Sequence, residues 1–238
     1  MSVKIRTICT FIALFAGMPV APALAHDMNE SIKVEDGRET GGHSTVNGSI
    51  TVGSDATVNG SLETVNGTIR IAQNSHVGNV ETVNGGVRIE SGVTARDISS
   101  VNGSVRLAEN VSVDGEISVV NGRIKLDRGS SVSDDVSNVN GELSIVGATI
   151  GGDLSTVNGD VSLTENALLV GNLVVEKESG WNSPGRKPKI VIGPGAQVQG
   201  ELILERAVEL YISETAQVGG VSGVMGLQDA TRFKGERP

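Results

Sequence analysis

The sequence predicts an all-β chain folded as one β-solenoid, a parallel β-helix of about nine coils of 18 or 19 residues. Seven Val-Asn-Gly triplets recur with successive gaps of 19, 18, 18, 19, 19 and 18 residues. Between them, apolar and polar residues alternate, and no window shows helical apolar spacing. Such a period is typical of solenoids, whose repeats bury their apolar faces only against their neighbours. The seven asparagines are Asn47, Asn66, Asn84, Asn102, Asn121, Asn140 and Asn158.

The alternation also predicts which residues of a coil face its interior. Over residues 101–107 it places Val101, Gly103, Val105 and Leu107 on one face and the intervening polar residues on the other. Glycine facing inward suits a narrow coil, because facing backbones leave no room for a Cβ atom. A second apolar phrase recurs later in each repeat. A coil of this length is therefore expected to form three short sides joined by corners.

The N-terminus predicts export. Lys4 and Arg6 precede an apolar run over residues 10–20, and a small-residue cleavage motif follows at residues 23–25. We interpret residues 1–25 as a secretory signal peptide, and the apolar run is short for a membrane span. The mature chain is expected to have no transmembrane segment and to be periplasmic, on the cell surface or secreted. The one cysteine of the sequence, Cys9, lies in the predicted signal peptide, so the mature chain contains none. Without disulfide bonds, its stability must come from the stacking of coils.

The remaining chain divides into three predicted parts, the second of which contains an inserted loop. Residues 26–44 form an N-terminal cap region, residues 45–224 the solenoid, and residues 225–238 a polar tail. Within the solenoid, one step lengthens by a Gly-, Pro- and charge-rich insertion at residues 176–189. Trp181 lies near the tip of this loop. It is either a contact point for a partner or a side chain folded back over an exposed coil edge.

Charge and composition exclude one class of partner. The formal net charge is −9, and removing the signal peptide leaves 17 basic and 28 acidic residues, a net charge of −11. A general nucleic-acid binder needs a dominant basic footprint, so nucleic acid is not an expected partner.

Two charged columns are candidate interaction ladders. Stacked like charges repel, so such columns persist more easily beside counterions or an oppositely charged partner. They could join rod to rod or hold an anionic glycan; alternatively, duplication copied solvated surface residues. The asparagine column is interpreted as structural, because stacked amides hydrogen-bond along the axis. The basic ladder is Arg70, Arg88, Arg106 and Lys125, and the acidic ladder is Asp97, Glu116, Asp135 and Asp153.

No catalytic constellation is evident. The histidines His26, His43 and His76 lack metal-ligand spacing, and no serine lies in a nucleophile elbow. The glycine-rich phrases are not followed by helices, so they are not phosphate loops. We therefore predict no catalytic residue, no metal and no cofactor, in a protein that is not an enzyme.

Residues 150–161, and especially the phrase at residues 190–202, resemble the bactofilins, which are bacterial polymer-forming β-helix proteins. Adhesin-type solenoids of unknown function show similar Val-Asn-Gly repeats. The bactofilin resemblance implies a right-handed, non-enzymatic β-helix that assembles end to end without nucleotide. Bactofilins work in the cytoplasm or on its membrane face, whereas this chain begins with an export signal.

Two hypotheses of function follow. The first is an exported structural protein whose rods self-assemble end to end in the cell envelope. The alternative is an adhesin-like envelope module that holds a glycan or protein partner with a solenoid face or the Trp181 loop. A subset of the alternative is ice binding, which needs a regular threonine array. Thr45, Thr64, Thr82 and Thr156 hint at such an array, but Val119 and Asn138 interrupt it.

Overall fold

A computed structural model describes residues 29–178 and 186–238. The predicted signal peptide and Trp181 lie outside these residues. The described chain is all-β, with one short 3-10 helix, Leu227–Asp229, and its parallel strands stack as a solenoid of about 10 turns. The predicted fold class is confirmed. About one turn more is present than the nine coils predicted, because a coil with Asn29 at its corner precedes the first triplet.

Each coil contributes strands to three columns, which we call faces 1, 2 and 3. Strands of face 1 pair in parallel register from one end of the rod to the other. The strands of face 1 are Ile32–Val34, Ile50–Val52, Ile69–Ile71, Val87–Ile89, Val105–Leu107, Ile124–Leu126, Leu143–Val146, Val161–Thr164, Lys189–Ile192, Glu209–Ser213 and Thr231–Phe233.

In each coil a short strand of face 2 is followed by a corner, which leads into the strand of face 3. Two long strands near the C-terminus, Gln197–Leu204 and Gln217–Gly223, run through both faces. The other strands of face 2 are Glu39–Thr40, Thr57–Val58, His76–Val77, Thr94–Ala95, Ser112–Val113, Ser131–Val132, Thr149–Ile150 and Leu168–Leu169. The other strands of face 3 are His43–Thr45, Leu62–Thr64, Val80–Asn84, Ile98–Asn102, Ile117–Asn121, Val136–Asn140, Leu154–Thr156 and Leu173–Val175.

Valine, isoleucine and leucine side chains from the three faces fill one continuous core. The β-branched residues suit the short strands, and each buried side chain packs on its counterpart one coil away. The solenoid also extends beyond the predicted boundaries. Strands of the first coil lie within residues 26–44, and Thr231–Phe233 adds a strand of face 1 within residues 225–238.

The valine of the triplet does not face the core as the alternation predicts. In Ile98–Asn102, the buried side chains are those of Ile98 and Ser100, whereas Val101 is half-buried and lies outside the core cluster. Alternation is broken at Asn102, where the chain turns the corner from face 3 to face 1. The prediction that Val101 faces inward is therefore wrong, and that for Val105 and Leu107 is confirmed.

The triplet glycine has a different function from the predicted one. A Cβ atom on Gly103 would lie 1.8 Å from the carbonyl oxygen of Gly85, the equivalent glycine of the preceding coil. The same close approach recurs at the other triplets, for example between Gly67 and Gly48 at 1.9 Å. The obstacle is thus the neighbouring coil along the axis and not a backbone across the coil.

The threonine array lies inside the rod. Thr64 is buried and donates to the carbonyl of Gly48 at 2.8 Å, and Thr82 donates to that of Gly67 at 3.3 Å. These hydroxyl groups donate hydrogen bonds to carbonyl groups at the corner, where strand pairing provides no donor. The hint of an ice-binding array is contradicted, because Thr45, Thr64, Thr82 and Thr156 are all buried.

Candidate functional site

The basic ladder runs along the outside of face 1. Strand register places Arg88 directly between Arg70 and Arg106, and Arg106 pairs with Lys125 on the next strand. All four residues are exposed. Neighbouring strands lie about 4.8 Å apart, so the structure brings the four predicted cations into one row.

The ladder is only partly neutralised by the protein itself. Lys125 forms an ion pair with Asp127 at 2.6 Å, and Arg70 donates to the Thr68 hydroxyl at 2.9 Å. Within the described residues, the guanidinium groups of Arg88 and Arg106 have no carboxylate at salt-bridge distance and no hydrogen-bond acceptor. Two adjacent guanidinium groups therefore face solvent without a direct ion pair, although Glu90 and Asp127 line one depression together with both arginines.

Two shallow depressions flank the row of guanidinium groups. The larger, about 270 Å³, includes Gly86 and three arginines, and its polar lining contains no carboxylate. The smaller, about 180 Å³, includes Glu90 and Asp127 as well as basic residues. The larger depression is thus the one with an uncompensated positive lining.

The acidic ladder is bonded to the backbone at a corner between faces 2 and 3. The Oδ1 atom of Asp97 accepts the Glu116 N–H at 3.1 Å, and that of Asp135 accepts the Asp153 N–H at 2.7 Å. Asp153 in turn accepts the N–H of Asn172 at 2.8 Å. The aspartates of this ladder therefore support the stacking of the coils, since each satisfies a donor of the next coil.

Crowding of these acids changes the titration of two glutamates. Burial, followed by the charges of Asp97 and Asp135, raises the pKa of Glu116 above its usual value of 4.5. Burial and the neighbouring charge of Glu63 likewise raise the pKa of Glu81. Desolvation and like charge both disfavour the ionised carboxylate.

The asparagine ladder forms a continuous chain of amide hydrogen bonds. Each Nδ2 atom donates to the Oδ1 atom of the preceding coil, with distances from 2.6 Å at the first bond to 3.1 Å at the last. The ladder begins at Asn29, which the sequence analysis missed because no Val-Asn-Gly triplet surrounds it. Asn29 precedes Asn47 by 18 residues, which is one repeat length, so the period alone predicts its place in the ladder.

Arg206 ends this ladder and was also missed. Its Nη1 atom donates to the Asn158 Oδ1 atom at 2.7 Å and to the Val157 carbonyl at 3.2 Å. The same guanidinium pairs with Glu178 at 2.8 Å and donates to the Arg186 carbonyl at 3.4 Å. Arg206 therefore holds both roots of the inserted loop; Trp181 itself lies outside the described residues.

Asp160 provides a second attachment for the loop. Its carboxylate pairs with the Arg186 guanidinium, and Oδ1 accepts the Lys189 N–H at 2.8 Å. Contact with the carboxylate raises the pKa of Arg186, so this side chain stays charged.

The described part of the chain contains no candidate metal site and no membrane-spanning helix. Residues 29–178 and 186–238 contain no group of three or more His, Cys, Asp or Glu that could hold a metal ion. His43 contacts the Thr40 hydroxyl at 3.0 Å, and His76 is exposed on face 2. No helix in these residues is long and apolar enough to cross a membrane.

Comparison with known proteins adds no relative. No protein family matches the chain, and no curated protein or solved structure resembles it at a significant level.

Proposed function

We propose that this chain is an exported, non-enzymatic structural protein of the cell envelope, a bactofilin-like or adhesin-type solenoid whose rods join end to end. The observation that carries this proposal is the apolar surface of the last coil. Val224 is 62 % exposed and Leu227 is 46 % exposed; among the large apolar side chains of residues 29–178 and 186–238, Val170 at 42 % is the other one that is similarly exposed. Exposed large apolar side chains that lie near one another in the chain at the end of a rod favour an interaction site there.

Open strand edges at the two ends support the same proposal. Within the described residues, Gln217–Gly223 and Thr231–Phe233 pair along one edge only, and so does Ile32–Val34 in the first coil. An unpaired edge is a template for another chain. Because all strands are parallel and stack in register, the last coil of one copy offers the first coil of another the same three-sided outline.

The test is the size distribution of the mature chain, residues 26–238, by sedimentation and negative-stain microscopy across concentration and salt. We expect filaments or an open-ended series of oligomers. The double variant Val224→Glu/Leu227→Glu should remain monomeric, because two buried charges would oppose the contact. Val170→Glu is the matched control, since Val170 is 42 % exposed but follows a face 2 strand that is paired on both sides and so does not lie at an end of the rod.

Two results would contradict the proposal. One is a wild-type monomer at every concentration; the other is equal loss of assembly in Val170→Glu. Loss of filaments at high salt, with the Val224 and Leu227 variants unchanged, would assign the contact to the charged ladders instead.

The alternative function, an envelope module that holds a partner, depends on a different surface. Its support is the row of uncompensated arginines on the side of the rod, which the end-to-end contact leaves exposed.

A further inference from the structure

The larger depression on face 1 has the chemistry of an anion-binding site. It spans three coils, and its polar lining consists of Thr68, Arg70, Gly86, Arg88, Ser104 and Arg106. Three arginines, one threonine and one serine thus line about 270 Å³ of open space. No acidic side chain lines it, although the chain as a whole has a formal net charge of −9.

Gly86 produces the depression. The corresponding positions on the coils before and after it are Thr68 and Ser104, whose side chains flank the gap at Gly86. A Cβ atom on Gly86 would lie 3.1 Å from the Ser104 carbonyl oxygen and meet no other atom closer than 4.0 Å. The space at Gly86 is therefore less filled than that at the triplet glycines, where the carbonyl oxygen of the preceding coil would lie 1.8–2.2 Å from a Cβ atom.

The arginine row is not explained by the stability of the fold. Arg88 has an arginine on each side in register, and neither Arg88 nor Arg106 has a carboxylate partner in the described chain. The same column carries Ser144 and Ser162 on later coils, so the fold accepts a small neutral residue there. A bound anion would supply the direct ion pair that both guanidinium groups lack.

We infer that this row binds a linear acidic polysaccharide, a polyuronate, lying parallel to the rod axis. Guanidinium groups in the row repeat at the strand spacing of about 4.8 Å. One sugar unit of an extended uronate chain is of similar length and carries one carboxylate. Successive units of an extended chain are turned about its axis, so the carboxylates on the side that faces the rod can pair with guanidinium groups of the row, and arginine pairs with carboxylate through two parallel hydrogen bonds.

Other polyanions fit the row less well. The charges of polyphosphate repeat at a shorter interval than the guanidinium groups. Single-stranded nucleic acid is bound with the help of aromatic side chains that stack on its bases, and the depression contains no aromatic residue. This binding uses the side of the rod, so it does not depend on end-to-end assembly.

The experiment is calorimetric titration of the mature chain with hexagalacturonate, with galacturonate and neutral maltohexaose as controls for chain length and charge. We expect hexagalacturonate to bind at least about tenfold more tightly than the monomer, and maltohexaose not to bind. Arg88→Ser should weaken binding about tenfold, as expected for loss of a charged hydrogen-bonded pair. The triple variant Arg70→Ser/Arg88→Ser/Arg106→Ser should abolish it.

A matched triple variant distinguishes the loss of the arginine row from a general loss of positive charge. Arg38→Ser/Arg96→Ser/Arg232→Ser removes the same number of exposed arginines away from face 1 or at its far end and should retain wild-type affinity. Equal weakening in both triples, tighter binding of polyphosphate than of hexagalacturonate, or no binding by the wild-type chain would each overturn the inference. Gly86→Ser tests the depression itself and should weaken binding without removing charge.

Circular dichroism and melting temperature verify that each variant is folded. Repeating the titration in the Val224→Glu/Leu227→Glu background distinguishes this inference from the proposed assembly. Retained binding by a monomer would support the row alone, and binding that requires filaments would contradict the inference as stated.

Discussion

The Arg206 guanidinium donates to the side-chain oxygen of Asn158 at 2.7 Å, although the two residues are 48 positions apart in the sequence. All the asparagine amides donate in one direction, so the last acceptor of the ladder has no further amide to bond. Arg206 takes that place and joins the ladder to both roots of the loop at residues 176–189. One side chain thus connects the regular part of the rod to its largest irregularity.

Replacing Arg206 should loosen this connection. Its side chain is only 13 % exposed, and Arg206→Met would leave Asn158 and Glu178 without their charged donor. We expect a loss of about 2–3 kcal/mol in the free energy of unfolding, the usual cost for hydrogen bonds to charged groups. Limited proteolysis should show faster cleavage within residues 176–189. Arg232→Met, at an exposed arginine, is the control and should leave both measurements unchanged.

Asn138 is a weak point inside the core. Its Nδ2 atom donates to the Gly122 carbonyl at 2.9 Å, but its buried Oδ1 atom has no hydrogen-bond partner. Asn138→Thr should stabilise the protein by about 1 kcal/mol, because a hydroxyl can keep the bond to Gly122 without an unsatisfied acceptor. Thermal denaturation would measure the gain.

In the exposed asparagine ladder, the same substitution should instead lower the stability of the protein. Asn140→Thr interrupts two amide bonds, to Asn121 at 2.9 Å and from Asn158 at 3.1 Å, and should destabilise the chain by about 1–2 kcal/mol. A gain in stability at Asn140, or a loss at Asn138, would be inconsistent with these assignments.

The corner glycines should not tolerate even one methyl group. Gly103→Ala places a Cβ atom 1.8 Å from the Gly85 carbonyl, so neighbouring coils must separate locally. We expect a loss of roughly 3 kcal/mol or more in the free energy of unfolding. Gly41→Ala is the control, because a Cβ atom there meets nothing within 4 Å. Chemical denaturation of both variants would show whether the corner contact has this effect.

The acidic ladder should make stability depend on pH. The pKa of Glu116 is raised by burial and by Asp97, Asp135 and Asp134, so the folded chain binds this proton more tightly than the unfolded chain. The contribution is fully present below the usual value of 4.5 and is lost as pH rises through the raised pKa. Glu116→Gln should therefore be more stable than wild type at neutral pH.

The measurement is the melting temperature of both proteins from about pH 4 to about pH 8. The advantage of Glu116→Gln should grow over this range as Glu116 ionises in the wild type. Glu109→Gln, at an exposed glutamate, is the matched control. An advantage that does not change with pH would show that ionisation of Glu116 is not its cause.

Most of the fold could be predicted from the sequence because one coil repeats the same local requirements. The spacing of Asn47 and its successors gives the period, and alternation correctly places residues such as Val105 and Leu107 in the core. Alternation fails at Val101, because a corner interrupts the strand and period-two counting does not continue through it. The same error hid the inward column of hydroxyl groups that includes Ser100.

The site was predicted less completely. The basic row appears in the sequence because its members repeat in register, and the structure adds the gap at Gly86 that makes a depression beside it. Arg206 could not be found by period, because it lies beyond the long insertion and bonds across 48 residues. The aspartates were recognised as a column, but their bonds to backbone N–H groups depend on how closely consecutive corners approach.

The end of the asparagine ladder also has a mechanical consequence. From Asn29 to Asn158 every coil is tied to the next by the same amide bond, so no coil in that stretch is weaker than its neighbours in this respect. Beyond Asn158 the tie is one arginine side chain. When the molecule is pulled by its two termini, we expect the C-terminal coils to peel away first at low force. The remaining coils would then yield one after another in evenly spaced steps, each releasing the length of a single repeat.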